Sequence, residues 1–291
     1  MQIQQPPRTD NPELDVWLER LAHQLSMTWA EWLAKMSGEA AAAFDMNTQK
    51  IVGVVDPTTD QDAATKKYVD DQIRAGFLPS DEHLVGYWAF DDGSGTVAVD
   101  GSGNGLNGTL VGTPAWVAGV VGTGLDFDGT NDYVTISHDA AFNFPNDEFT
   151  ISVWINKAWV DTNNHIVSHL DGALDGWYIA VQYHGGADKD YVAFRTNDNV
   201  EILAFEHGLS DDEWGLVTFT WDGTTLTGYI NAVEKGSAGL ASVQSADTPL
   251  YFGVWSVGSA RYDGKMDEVR IYSTALTTSE IKALYDYPGG K

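Results

Sequence analysis

Phe149-Thr150-Ile151-Ser152-Val153-Trp154-Ile155-Asn156-Lys157 alternates along its length. Phe149, Ile151, Val153 and Ile155 fall on one side of an extended chain, and Thr150, Ser152, Trp154 and Asn156 on the other. Successive side chains of a strand point to opposite faces, so this run is a strand with one apolar face to bury. Similar runs flank it: Leu84 to Phe90, Tyr133 to Ile136, Trp177 to Tyr183, Tyr191 to Thr196, Glu201 to Glu206, Leu216 to Trp221, Leu226 to Ile230, Leu250 to Val254 and Lys265 to Tyr272. Asp-Gly recurs between them, beginning at Asp92, Asp100, Asp128, Asp171, Asp175, Asp222 and Asp263, and both residues of that pair tolerate the positive φ of tight turns. Short strands with little helix between them hide their apolar faces against a second sheet. The expectation is a mainly β, antiparallel two-sheet sandwich over residues 81–291. A closing helix is expected at Ser279 to Tyr285, with Thr277 as its cap and Glu280 reaching back in a capping box.

Before Ser80 the texture differs. Leu14, Leu18, Leu21, Leu25, Trp32 and Met36 recur mostly at spacings of four and three, which predicts a helix across Pro12 to Met36. Its length suits a short oligomerising helix or one that docks on a larger partner. An amphipathic helix folded back on the sandwich is the alternative. After Gly38 and the alanine run Ala40 to Ala43 come an extended segment around Lys50 to Val55, a turn at Pro57 and a second helix from about Gln61 to Ala75. The division expected is a helical anchoring or oligomerisation segment over 1–43, a connector over 44–80 and the sandwich over 81–291, so that a small helical and extended attachment region precedes the β domain.

The connector carries Asn47, Lys50-Ile51, Asp56-Pro57-Thr58 and Asp62-Ala63-Ala64-Thr65-Lys66-Lys67-Tyr68-Val69-Asp70. From Phe44 to Ile73 it resembles the short module near the N-terminal ends of bacteriophage tail-fibre proteins. That resemblance implies a surface-exposed virion subunit, a homotrimer made in the host cytoplasm and joined to other virion proteins through its N-terminal region.

A second resemblance rests on Gly86-Tyr87-Trp88-Ala89-Phe90-Asp91, on Asp100 to Gly105, on Leu125-Asp126-Phe127-Asp128-Gly129, on Phe149 to Trp154, and on Gly264-Lys265-Met266-Asp267-Glu268-Val269-Arg270-Ile271-Tyr272. These are similar, in order, to the laminin-G-like, concanavalin-A-like jelly-roll domains. The fold hosts lectins, adhesion modules and glycosidases alike.

Composition narrows the choice. The 291 residues carry 16 Lys and Arg against 42 Asp and Glu, a net charge of -26, and of these 9 and 30 follow Ser80. Such a surface repels phosphate backbones and anionic lipid, which argues against nucleic-acid binding and membrane insertion and leaves cations and neutral ligands favoured. Cysteine is absent, so disulfides and thiolate chemistry are excluded. The N-terminal residues show no apolar secretion signal, and no run approaches the ~18 apolar residues of a membrane span.

Four oxygen donors form a candidate calcium site: Asp91, Asp100, Asn104 and Asp267 match the positions at which related jelly rolls hold a structural calcium ion, and calcium takes hard oxygen ligands of this kind. The alternative is that Asp100 and Asn104 make turns and Asp267 caps a strand end. Asp126, Asp128 and Asp132 lack the glycine and glutamate spacing of a calcium loop and read as a hairpin turn. No paired acidic run of the glycosidase type occurs, and Asp267 and Glu268, adjacent in a strand, are expected on opposite faces. Without a nucleophile elbow or zinc-type histidine pair either, no catalytic residue is assigned. Trp88, Trp154, Trp177, Trp214 and Trp221 lie in or beside strands and are expected in the core. Trp159 with Asn163, and Trp255 with Arg261 and Tyr262, lie in loops and are the candidate ligand contacts, where an aromatic face stacks on a sugar and polar groups bond its hydroxyls. The expectation is a fibre or spike subunit whose sandwich adheres to host-surface or environmental glycans. A head-fibre or capsid-decoration subunit with a purely structural role is the alternative, and a polysaccharide-degrading glycosidase the third.

Overall fold

The computed structural model describes residues 78–286, apart from 145–147, 158–163, 184–189, 197–199 and 256–260. The expected N-terminal helix, the connector as far as residue 77, Trp159 and Asn163 lie outside the described residues. Within them the chain forms two antiparallel sheets. The first contains β1 (Leu84–Trp88), β4 (Ala115–Ala118), β5 (Thr123–Asp128), β7 (Phe149–Lys157), β12 (Trp214–Trp221), β13 (Thr225–Ile230), β14 (Val233–Gly239) and β16 (Asp263–Tyr272), in the order β14-β13-β12-β7-β16-β5-β4, with β1 also paired to β16. The second contains β2 (Val97–Ala98), β3 (Gly108–Val111), β6 (Tyr133–Ile136), β8 (Asn164–Leu170), β9 (Gly176–Tyr183), β10 (Asp190–Thr196), β11 (Val200–Glu206) and β15 (Leu250–Phe252), in the order β11-β10-β9-β8-β15-β6-β3-β2. The two-sheet sandwich read from the alternation is the architecture found, and it is jelly-roll-like as the laminin-G resemblance implies.

The inner faces meet in one core. Phe149, Ile151, Val153 and Ile155 of β7 are fully buried. Phe149 lies 5.4 Å from Phe194 of the opposite sheet, and Phe194 5.6 Å from Phe219, between ring centroids. Trp88, Trp177 and Trp221 are in this core, each with its indole N–H donated to a backbone carbonyl: Leu106 (2.9 Å), Phe142 (2.8 Å) and Leu240 (2.9 Å). A tryptophan so placed hides its rings without leaving a polar atom unmet.

The second face of β7 is also covered, by α1 (Thr278–Asp286). Trp154 stacks on Tyr285 at 5.6 Å, and Leu276, Ile281 and Leu284 complete a smaller cluster with Leu84, Tyr272 and the partly buried Trp214. Polar residues on this face bond locally: Thr150 Oγ1 donates to Thr274 O (2.8 Å) and accepts from Leu276 N (2.8 Å). The capping box is in place, with Glu280 N donating to Thr277 Oγ1 (3.3 Å) and Thr277 N to Glu280 Oε2 (2.7 Å).

Asp128 to Asp132 does not close a hairpin. β5 belongs to one sheet and β6 to the other, so this turn is a corner between layers. Asp128 Oδ1 accepts from the backbone N–H groups of Thr130, Asn131 and Asp132 (2.8, 3.0 and 3.3 Å), which fixes the bend.

Candidate functional site

The outer face of the second sheet carries rows of side chains set by strand register. Where Trp177, Ile179 and Val181 of β9 enter the core, Tyr178, Ala180 and Gln182 face the other way. Cross-strand pairing aligns Glu201, Arg195, Tyr178, Ser168 and Tyr251 in one row across β11, β10, β9, β8 and β15. The next row is Ala204, Ala193, Ala180 and His165, and beyond it lie Glu206, Tyr191 and Gln182. Ala180 and Ala193 are fully buried, because the long side chain of Arg195 reaches over the alanine row to Gln182.

Trp255 stands at the His165 end of that row, directly after the bridge that pairs Val254 with Arg261. Its ring stacks on His165 (5.8 Å, 14° between planes) and tilts against Tyr178 (6.5 Å). Ser168 Oγ lies 2.7 and 2.8 Å from the carbonyl oxygens of Val254 and Trp255, and its hydroxyl donates to them, tying this segment to β8. Arg261 lies over the Tyr133 ring at 4.8 Å, and Tyr133 is 6.1 Å from Tyr251. At the other end, with the Gln182 amide turned to suit its neighbours, its oxygen accepts from Arg195 Nε (2.8 Å) and its nitrogen donates to Glu201 Oε2 (3.1 Å). Glu201 Oε2 is also 2.7 Å from Arg195 Nη2. Burial, and then the charge of Arg195, push His165 down to about 4, so its ring is neutral at pH 7. Three atoms in the Trp255 region are covered and have no hydrogen-bond partner: Trp255 Nε1, Arg261 Nη1 and His165 Nδ1. Aromatic faces beside unmet polar atoms suit a ligand with apolar ring faces and many oxygens.

Of the expected ligand contacts, Trp255 and Arg261 lie on this face and Tyr262 does not. Tyr262 is fully buried, edge-on to Phe127 at 6.0 Å, with its hydroxyl donating to Lys265 O (3.3 Å). Strand periodicity explains the difference, since neighbours in an extended segment face opposite ways and Arg261 takes the outward position. His165, Tyr178, Gln182, Arg195 and Glu201 were not anticipated. Their alternation was visible in the sequence, but not which face of β9 and β10 looks away from the core.

The four expected metal ligands separate into two pairs on the structure. Asp100 Oδ1 accepts from Tyr87 N (3.1 Å) and Ser102 N (2.9 Å), and Oδ2 from Ser102 Oγ (2.8 Å) and Leu106 N (2.9 Å). Burial raises this carboxyl, and these hydrogen bonds outweigh it and hold the group below the usual carboxylate range. Asn104 Nδ2 donates to Leu84 O and Val85 O (2.9 and 3.0 Å). Both residues therefore build the loop against β1, as in the turn reading. Asp91 and Asp267 instead meet the turn between β4 and β5: Asp91 Oδ1 accepts from Thr123 N (2.8 Å), and Asp267 Oδ2 from Val120 N (2.7 Å) and Val121 N (3.0 Å). Among the described residues no group of three His, Asp or Glu side chains is placed to hold a metal ion. Asp267 Oδ1 is buried without a partner, and burial foremost pushes this carboxyl up to about 8. A hard cation is one group that would satisfy that oxygen.

Asp267 and Glu268 do not face opposite ways. β16 bulges between Asp267 and Arg270, where its edge partner changes from β5 to β1, and Glu268 takes φ 54°. The extra residue turns Glu268 to the side of Asp267 and Arg270. There it pairs with Arg270 (2.5 Å) and accepts from Tyr87 Oη (2.8 Å), while Arg270 lies 4.1 Å over the Tyr87 ring. Both carboxyls are fully buried, so a substrate does not reach them.

Two antiparallel sheets with an aromatic and polar outer face define a lectin-type jelly roll. The chain belongs to the concanavalin A-like lectin/glucanases superfamily, whose laminin-G-type model matches residues 128–282. It is similar to the adhesion G-protein coupled receptor V1 of Danio rerio, 29% identical over 153 residues that make up 48% of this chain and 2% of that protein. Among solved structures it is similar to the binding domain of Paraclostridial Mosquitocidal Protein 1 (18% identity, TM-score 0.58, covering 71% of this chain and 52% of that one). It is also similar to domain 4 of AbnA, a GH43 extracellular arabinanase from Geobacillus stearothermophilus, in complex with arabinotriose (21%, 0.55, 70% and 98%). A third is the receptor binding domain of botulinum neurotoxin C/D mosaic serotype (15%, 0.57, 72% and 52%). At these identities the solved structures bear on the fold, and this chain spans about half of the two toxin domains.

Proposed function

We propose that this chain is a virion fibre or spike subunit that displays its sandwich for adhesion to a host-surface or environmental glycan, and that the outer face of the second sheet is where the glycan binds. The observation that carries the binding role is the Trp255, His165 and Tyr178 cluster with its unmet polar atoms at the end of the alanine row. The virion role rests on the Phe44 to Ile73 resemblance, which also supports a homotrimer joined to other virion proteins. A binding role without catalysis fits the burial of Asp267 and Glu268. A calcium ion, if the domain holds one, is expected at the turn carrying Asp91 and Asp267, where the unpartnered Asp267 oxygen supplies a ligand and the ion would brace the β4–β5 turn.

The test is a glycan-array and host-cell binding assay of the whole chain beside Trp255→Ala, with immunodetection on purified particles. Trp255 is partly exposed and packs on Leu170, Tyr178 and Ala180, so the variant is compared only after its unfolding midpoint matches that of the wild type. Binding that falls at least tenfold in the variant supports this face. Equal binding by both proteins refutes it, and absence of the chain from particles refutes the virion role.

A further inference from the structure

The unmet groups of this face have a chemical sense. Three arginines fall among the described residues, and two are paired with glutamate, Arg195 with Glu201 at 2.7 Å and Arg270 with Glu268 at 2.5 Å. Among the described residues Arg261 has no carboxylate partner, in a chain whose acidic residues outnumber its basic ones 42 to 16. Its Nη1 is covered and unbonded, and so is the Nε1 of Trp255, next to the residue that Arg261 faces across the Val254 bridge. A guanidinium and an indole N–H donate and never accept, so what is missing beside them is an acceptor. Tyr133 holds the guanidinium from one side by contact with its ring face, which leaves the in-plane edge for a ligand. The planar fork of an arginine matches a carboxylate with two parallel hydrogen bonds, a geometry that a sugar hydroxyl does not offer. Both side chains are partly exposed, and a ligand that bonds their covered N–H groups requires each side chain to rotate.

We propose that the glycan taken by this face is a carboxylated one, its carboxylate held by Arg261 with the Trp255 indole N–H as a further donor and its ring against Trp255. The inference rests on the glycan-binding reading above and deepens it. The net charge of -26 repels an acidic polymer at a distance. Screening over about 8 Å at physiological ionic strength confines that repulsion, so the local arginine decides the contact.

The experiment presents the whole chain with carboxylated oligosaccharides (oligogalacturonates and sialylated glycans), the same probes after reduction of their carboxyls, and neutral and sulfated probes, at physiological salt. The expected result is a signal at least tenfold stronger for the carboxylated probes than for their reduced forms. Arg261→Gln should abolish that preference, and Arg261→Lys, which keeps the charge and loses the fork, should restore part of it. Equal binding to carboxylated and reduced probes, binding confined to neutral or sulfated probes, or an Arg261→Gln protein with unchanged preference overturns the carboxylate assignment while leaving a glycan-binding face in place. A folded wild-type chain that binds no probe overturns the glycan-binding reading together with this one.

Discussion

His169 of β8 makes the stability of the sandwich sensitive to acid. Its ring is fully buried, stacked on His138 at 5.7 Å and packed against Phe142 and Trp177. Burial first, and then the neighbouring His138, push it down to about 4 from 6.5, against smaller opposing effects from the Thr248 backbone and Asp171. A histidine whose folded value is depressed contributes stability that is complete above its unfolded value and is lost as the pH falls through the folded one. The loss attributable to His169 is about 0.2 kcal/mol at about pH 7, about 2 kcal/mol at about pH 5 and about 3 kcal/mol at about pH 4. His165, depressed to about 4 by burial and by Arg195, adds a decrement of the same size. Together they approach the lower end of the ~5–15 kcal/mol that stabilises a domain. The assay is urea unfolding of wild type and of His169→Leu across this pH range. Carboxylates that also titrate in acid are common to both proteins, so the difference between them isolates the histidine. The wild-type decrement between neutral pH and pH 5 should exceed that of the variant by about 2 kcal/mol. An identical pH dependence in the two proteins refutes the reasoning.

Two further outcomes follow from the outer face of the first sheet. Glu268→Ala should destabilise the domain by about 3–5 kcal/mol, read in the same unfolding assay, because it leaves the buried Arg270 without its carboxylate. A loss below about 1 kcal/mol would mean that the ion pair is not what holds the β16 bulge. Calcium should raise the thermal midpoint of the wild-type protein, and a chelator should reverse the rise. Asp267→Asn should remove the calcium response, and an unchanged response in that variant places any calcium elsewhere.

Local sequence determined the strands whose patterns are complete within themselves. Tyr133–Ile136 and Phe149–Lys157 have the bounds that their alternation predicts, and the helix over Thr278–Asp286 has the cap that Thr277 and Glu280 announce. Ala115–Ala118, Thr123–Asp128 and Asn164–Leu170 were not anticipated. In Asn164–Leu170 all seven residues are buried, because β8 is covered on both faces and polar residues such as Ser168 lie among the apolar ones, so alternation does not mark it. Conversely, Thr150 and Ser152 lie on the polar side of the alternation and are buried, Thr150 against Thr274, more than 100 residues later in the chain, and Ser152 against Thr218.

The candidate site divides along the same line. Trp255 and Arg261 stood out in the sequence because loop aromatics and loop arginines are unusual by type and place alone. Tyr262, one position on, was misjudged because facing is a property of register, and register is set by a partner strand distant in sequence. The turn role of Asp100 and Asn104 was visible as an alternative in the local sequence. What only the tertiary structure decided was the gathering of His165, Tyr178 and Trp255 from three separate segments, and the β16 bulge that turns Glu268 toward Asp267 and Arg270. Side-chain alternation is encoded residue by residue, whereas these arrangements arise only when long-range pairing selects a face for every strand at once.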